Sequence, residues 1–392
     1  MALILVSSGG VSFRAVSKVF IAMNISLNLS LRIPTHATVL TWMKKQGIAN
    51  FRENNFFEKE KWVLIIDESI QFGNKKLLVI LAVEESKIKS RKALTYTDLV
   101  PLTIKSSESW KSNEIKEALV SCIDLKQISY VVSDNGNNLK GCCQLSNLIH
   151  IEDVGHRFSW FIKKIFEKQT NFESYTKHLS GLRGKLSLSK FAHIIPPNQR
   201  IISRFMNLSP LFNWGCKILK LIDNQMLNEF EMEKVVFVLQ YREFIMQTNQ
   251  LLEVLNSIQK TLKNKQFSKE TVKECIEKLD KINDNNGKKI AEMVKIYFEE
   301  TFQKMPETPI ILCSSDIIES CFGKYKEVVK SNKSVGVTDL CLSISCLTSL
   351  WNFKQTQSAL ESVKIKQIKQ WKDENVGESL FSKRNNLFRK AG

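Results

Sequence analysis

Hydrophobic residues recur at helical spacing near the start of the chain, over residues 11–47. Ser12 is placed to cap a first helix, and Pro34-Thr35 opens a second helix that we expect to end at Gly47. The predicted inward faces consist of Val16, Val19, Phe20, Val39, Leu40 and Met43. The two helices form either a plain helical hairpin, which the pattern alone favours, or a helix-turn-helix. In the second case Lys44 and Lys45 face outward as candidate DNA-binding residues.

The pattern changes to that of strands over residues 61–169. Two continuous apolar runs, at 62–66 and 77–83, are separated by Gly73-Asn74 and predict a β-hairpin. A third strand fits near 94–104, where Pro101 confines it to a sheet edge or shortens it. Helices at 112–125 and 137–146 alternate with strands at 129–134 and from His150. This β-β-β-α-β-α-β order resembles that of an RNase H-like core, an α/β fold with a mixed five-stranded sheet.

The remaining residues are predicted to be almost entirely helical. Residues 272–282 and 290–297 form an antiparallel helical pair around a turn at 283–287. A further helix starts near Asp316, and an apolar helix follows around 338–350. We expect the basic end of the chain to be solvated and partly disordered. The predicted domains are a helical DNA-binding segment at 1–50, an RNase H-like core at 61–165, an all-α insertion at 166–308, closing helices of the core at 309–352, and a basic tail at 353–392.

The charge of the chain points to its partner. Lys and Arg number 57 against 40 Asp and Glu, a formal charge of +17, and nucleic acid is the usual partner of so basic a protein. No apolar run reaches the roughly 18 residues of a membrane span, so we expect no membrane contact. Nine cysteines without a CxxC pair predict reduced thiols in a cytoplasmic protein.

Two acids stand where predicted strands end. Asp67 ends the first strand and Asp134 the fourth, and these strands are spatial neighbours in the predicted sheet. Glu68 faces the opposite way and remains a minor alternative. An Asp at a strand end is also a common turn former, and Asp134-Asn135-Gly136 makes a good turn by itself.

At these acids the chain resembles a known family. The segments WVLIIDES, YVVSDNGNN and SSDIIESCFGKYK resemble the three acidic blocks of DDE-type transposases of insertion sequences. The resemblance implies that Asp67, Asp134 and Glu319 are catalytic metal ligands for Mg²⁺ or Mn²⁺, with two ions bound. It further implies strand cleavage and transfer at transposon ends, double-stranded DNA as partner, a homo-oligomer on DNA, and nucleoid association in the cytoplasm.

A second resemblance concerns Asp153-Val154-Gly155-His156, which is similar to the (C/D)xxH motif of hAT-like transposases. It implies that His156 lies near the active site as a catalytic residue. A structural histidine that closes the fifth strand is an equal alternative.

Three further residues enter by the same comparison. Some transposases carry a Tyr-Arg-Glu-Lys signature, and Lys326 falls at the spacing of its DNA-contacting lysine after Glu319. Ser315 and Leu312 stand where that signature has Arg and Tyr. Trp160 and Trp214 are candidates for stacking on a base, but we expect both to be core residues.

Two other classes of function stay open. One is a catalytically inactive, transposase-derived DNA-binding protein, and the other is a helical interaction protein whose charge is incidental.

Overall fold

The computed structural model describes residues 1–52, 61–69, 74–89, 93–199, 204–305, 307–329, 336–349 and 351–391. The chain divides into two units. The first, which we call the sheet unit, combines Met1–Ser90, Leu94–Ile151 and Ser314–Gly392. The second, the helical unit, is formed mainly by Glu152–Cys313. No helix in the described ranges combines the length and apolar character needed to cross a bilayer.

Three helices open the chain: α1 (Ala2–Ser7), α2 (Phe13–Leu27) and α3 (His36–Arg52). The two helix starts predicted within residues 11–47 are confirmed. Ser12 caps α2, because its hydroxyl accepts a hydrogen bond from the Ala15 N–H at 3.2 Å. Thr35 serves α3 in the same way through the Thr38 N–H, also at 3.2 Å.

The sheet follows, with its helices, in the order β1 (Trp62–Glu68), β2 (Lys76–Glu84), α4 (Glu85–Ile88), β3 (Leu99–Ser107), α5 (Ser112–Val120), β4 (Ile128–Ser133), α6 (Asn137–Leu145) and β5 (His150–Glu152). Its strand order is β3-β2-β1-β4-β5. β1 pairs antiparallel with β2 and parallel with β4, and β2 pairs antiparallel with β3. The predicted mixed five-stranded sheet is confirmed, and its order is compatible with an RNase H-like core.

Pro101 behaves as predicted for the third strand. β3 is an edge strand, and its register with β2 shifts between Ile80 and Leu81, where Pro101 lies opposite Leu81. An edge position with an irregular register tolerates a residue that has no N–H to donate. The strand begins later than predicted, because Tyr96–Asp98 form a 3₁₀ turn closed by a capping box between Thr95 and Asp98. Gly73, assigned to the first hairpin, lies outside the described residues.

The two faces of β1 contact different parts of the sheet unit. Trp62, Leu64 and Ile66 belong to a buried cluster that also contains side chains of α5 and α6. Val63 and Ile65 alternate with them and are completely buried on the opposite face. A strand covered on both faces is continuously apolar, as this sequence is until its final acids.

The helical unit contains α7 (Val154–Phe166), α8 (Thr170–Leu186), α9 (Ser209–Asp223), α10 (Glu229–Val235), α11 (Arg242–Lys265), α12 (Lys269–Leu279) and α13 (Asn285–Lys304). Its core is aromatic: the Tyr175 ring lies 5.4 Å from both Phe212 and Tyr241, measured between ring centroids. The predicted helical pair at 272–297 is confirmed as α12 and α13, which contact each other. Asp284 ends the turn between them by accepting a hydrogen bond from the Gly287 N–H at 2.8 Å.

The last part of the sheet unit contains α14 (Asp316–Val329), α15 (Leu342–Cys346), α16 (Phe353–Ser362), α17 (Ile365–Asn375) and α18 (Leu380–Ala391). The helix predicted from Asp316 is confirmed as α14. The helix predicted around 338–350 is shorter, since residues 339–341 form a 3₁₀ turn ahead of α15.

The basic tail differs from the expected solvated end. α16 and α17 pack on α3, Val363 is completely buried, and the rings of Phe51 and Trp371 stack with centroids 6.1 Å apart. The apolar residues of the tail recur every three to five residues, which is helical spacing, but the lysines among them concealed the buried face. Only α18 stays exposed along nearly its whole length.

Gly47 was predicted to end its helix, and this prediction was wrong. The glycine instead allows a close contact between two helices. α3 continues through Gly47 to Arg52. A β-carbon on Gly47 would lie 2.5 Å from the backbone oxygen of Leu342 at the start of α15. The Ser345 hydroxyl also donates a hydrogen bond to the Gly47 carbonyl at 3.0 Å.

We therefore expect Gly47→Ala to lower the free energy of unfolding by roughly 1–3 kcal/mol, because α3 and α15 must move apart. Gly323→Ala in α14 is the matched control, since nothing lies within 4 Å of its added β-carbon. The control should raise stability by about 0.5–1 kcal/mol through helix propensity. Chemical denaturation measures both variants, and equal stabilisation by the two would contradict the close contact.

Candidate active site

Asp67 and Asp134 occupy matching positions on neighbouring parallel strands. The β1–β4 register pairs Ile65 with Val132, and each acid stands two residues further along its strand direction. Asp67 lies within β1, and Asp134 directly follows β4. Adjacent strands are about 4.8 Å apart, so this register brings the two acids to the same edge of the sheet. Both side chains are half-buried, which leaves them accessible from solvent.

Glu319 lies in the first turn of α14, the helix that contacts β1. The residues next to Glu319 on α14 contact Tyr96, which lies just before β3. The Tyr96 hydroxyl lies 2.5 Å from Ser320 Oγ, and Lys324 lies 4.5 Å from the Tyr96 ring centroid.

The chemistry of this donor set fits Mg²⁺ or Mn²⁺, because hard cations prefer carboxylate oxygens and retain waters for substrate to replace. The register sets Asp67 and Asp134 at matching positions on neighbouring strands, and α14, the helix that carries Glu319, contacts β1. Within the described part of the chain, no three His, Cys, Asp or Glu side chains form a group that could hold a metal ion.

Glu68, the minor alternative to Asp67 in the sequence, lies near enough to Asp134 for the charge of Asp134 to raise its pKa. Its carboxylate lies 3.3 Å from the Lys76 ammonium. Burial raises the pKa of Glu68, the charge of Lys76 opposes that shift, and the nearby charge of Asp134 adds to it. The alternation of side chains places Glu68 on the face of Ile66, away from Asp67, so it approaches Asp134 from the side of α6.

The turn predicted at Asp134 is present. One carboxylate oxygen of Asp134, Oδ1, accepts a hydrogen bond from the Gly136 N–H at 3.0 Å. A β-carbon on Gly136 would lie 2.9 Å from the same oxygen, so glycine allows this close approach. The turn therefore orients the Asp134 carboxylate, and a structural role and a functional role are compatible at this residue.

His156 lies in the helical unit, in the first turn of α7. Asp153 is the N-cap of that helix: its Oδ1 accepts from the His156 N–H at 2.8 Å and lies 3.1 Å from His156 Nδ1. Asp153 is only 1% exposed, whereas His156 is half-buried. The motif thus has a structural function as a helix cap, and the catalytic role of His156 stays a prediction.

The lysines proposed for DNA contact have partners within the chain. Lys44 forms an ion pair with Asp339 at 2.8 Å, and Lys45 donates to the Leu360 carbonyl at 2.6 Å. Both are half-buried, in contrast to the outward orientation expected for a helix-turn-helix. Lys326 lies in the last turn of α14, half-buried.

Trp160 is not a core residue, so our prediction for it was wrong. Its side chain is 47% exposed on α7, with the Arg157 guanidinium 5.0 Å and the Lys164 ammonium 5.1 Å from the ring centroid. The signal was present in the sequence, because cations three residues before and four residues after an aromatic share its helix face. Trp214 is half-buried and donates to the Ile194 carbonyl at 3.2 Å.

The nine cysteines form no disulfide with one another. Burial raises the pKa of Cys143 and of Cys321 to about 12, so both remain protonated and unreactive at neutral pH.

Neither a scan against models of protein families nor a search of curated proteins finds a match to this chain.

The cap at α7 gives a direct test. Asp153→Ala should lower the free energy of unfolding by about 0.5–2 kcal/mol, because the His156 N–H loses its acceptor. His156→Gln retains that backbone N–H and should change stability by roughly 0.5 kcal/mol or less. Urea denaturation compares the two. A larger loss from His156→Gln than from Asp153→Ala would show that the imidazole, rather than the cap, stabilises this helix end.

Proposed function

We propose that this chain is a DDE-type DNA transposase that cleaves DNA at transposon ends and transfers the strand to a target. One observation carries the proposal: Asp67 and Asp134 stand at matching positions on neighbouring parallel strands of a β3-β2-β1-β4-β5 sheet. The helix that carries Glu319 contacts the same central strand. The resemblance of the three acidic segments to transposase blocks agrees with this arrangement.

In this proposal Asp67, Asp134 and Glu319 hold Mg²⁺ or Mn²⁺. Bound ions of this kind activate an attacking oxygen and stabilise a leaving oxygen at a phosphodiester. The protein's own contribution is to hold the carboxylates at one edge of the sheet. Half-burial limits their motion while it leaves them open to DNA.

The charge of the chain supports double-stranded DNA as the partner, since a formal +17 favours a polyanion. Trp160 adds a local feature, because an exposed indole between two cations suits contact with a base and its phosphates. A homo-oligomer on DNA and a place in the cytoplasm near the nucleoid follow from the same proposal.

The acids provide the first test of function. Asp67→Asn, Asp134→Asn and Glu319→Gln should each reduce metal-dependent cleavage by 10³-fold or more, on the order of the loss of a central catalytic group. DNA binding should stay close to wild type, because phosphate contacts from basic residues supply most of the affinity.

Glu117→Gln is the matched control, an exposed carboxylate on α5 that receives the same change to an amide. It should leave cleavage unchanged. Full cleavage by Asp67→Asn or Asp134→Asn would refute the assignment. Wild-type DNA binding with no cleavage under any metal would instead favour the inactive DNA-binding alternative.

Trp160 provides a test of the DNA surface. Trp160→Ala should weaken binding to DNA with an unpaired strand by about 1–3 kcal/mol, the usual contribution of one stacked base. Leu188→Ala is the control, because Leu188 is completely exposed in the same unit and carries no aromatic ring. Fluorescence anisotropy at two salt concentrations measures both. Equal affinities for the Trp160 variant and the wild type would remove this residue from the DNA surface.

A further inference from the structure

Asp134 stands at the end of a short hydrogen-bonded chain that begins on β5. The Ser133 hydroxyl lies 2.9 Å from Nε2 of His150 and 3.0 Å from the backbone oxygen of Asp134. Ser133 is completely buried. A buried hydroxyl must find partners for both its hydrogen and its lone pairs, and this one finds them on two sides.

The direction of this chain follows from the inventory of donors and acceptors. A carbonyl oxygen only accepts, so Ser133 donates its single hydrogen to the Asp134 oxygen. The Ser133 oxygen must therefore accept from an N–H at Nε2 of His150. The backbone supports this link, because the Val131 N–H donates to the Ile149 oxygen at 2.9 Å and holds the two strands together.

Asp134 is thus fixed at two of its own atoms. Its backbone oxygen receives the Ser133 hydroxyl, and its Oδ1 receives the Gly136 N–H at the start of α6. The first contact reaches His150 on β5 only through Ser133, and the second connects the residue to α6. Rotation of the Asp134 backbone would break both contacts, so the orientation of the carboxylate depends on the two together.

We propose that Ser133 and His150 are positioning residues that hold Asp134 in the orientation its carboxylate needs at the active site. This inference rests on the proposed function, since it assumes that Asp134 binds a metal. Residues that hydrogen-bond to a metal ligand commonly change metal affinity or activity by 10–100-fold when they are removed. An arrangement fixed before the metal arrives avoids the entropy loss of ordering the ligand at that moment.

The chain offers a matched control on the same strand. Ser129 lies at the other end of β4, and its hydroxyl donates to Glu85 at 2.9 Å. Ser129→Ala therefore removes one serine hydrogen bond from β4, as Ser133→Ala does, but far from Asp134. Any general effect of weakening the strand should appear in both variants.

The experiment measures Mn²⁺ binding to the full chain by electron paramagnetic resonance, and the Mg²⁺ concentration that gives half-maximal cleavage. Ser133→Ala and His150→Phe should weaken Mn²⁺ binding and raise that Mg²⁺ concentration, each by about 10–100-fold. Ser133→Thr retains the hydroxyl, and His150→Gln retains an N–H donor near the place of Nε2. Both should restore most of the affinity, and Ser129→Ala should match the wild type.

The outcomes separate this inference from the proposed function. If Asp134→Asn abolishes Mn²⁺ binding but Ser133→Ala binds as the wild type does, the positioning role is wrong and the metal site stands. An equal loss in Ser129→Ala and Ser133→Ala would also overturn it, because strand stability would explain both. If the wild-type chain binds no Mn²⁺, or Asp134→Asn binds normally, the proposed function and this inference fail together.

Discussion

The parallel pairing of β1 with β4 is the contact on which the candidate site depends. It joins segments that are distant in sequence, and its register sets Asp67 beside Asp134. Both faces of β1 are buried, one of them under α5 and α6. A slip by one residue would move Asp67 into the place of the buried Ile66, and burial of an unpaired carboxylate is costly.

The position of Asp134 and the orientation of its carboxylate have different causes. The register supplies only the position of the residue. The Gly136 N–H and the Ser133 hydroxyl then fix its carboxylate and its backbone oxygen, and Glu68 adds a negative charge nearby that Lys76 partly offsets. Asp134 and Glu68 are therefore close enough for their negative charges to repel each other.

The sequence predicted those features that depend on local chemistry. Ser12 and Thr35 cap helices because their hydroxyls reach backbone N–H groups one turn later, and Pro101 lies on an edge strand because it lacks an N–H. Features that depend on distant contacts were missed. Gly47 resembles a helix end until α15 is known to pack on it, and the basic tail hid helices that bury apolar residues against α3. Glu319 was placed by resemblance, since no periodicity can bring a residue across so long a helical segment.

We propose that Asp67, Asp134 and Glu319 share one metal site, and metal-directed backbone cleavage is a test of this proposal that does not depend on DNA. Fe²⁺ substituted for Mg²⁺ in the full chain, with ascorbate and peroxide, cuts the polypeptide next to its ligands, and mass spectrometry locates the cuts. We expect cuts near all three acids; excess Mg²⁺ should suppress these cuts, and Asp134→Asn should remove all of them together. Cuts that cluster elsewhere, or cuts near Asp67 that persist in Asp134→Asn, would contradict it.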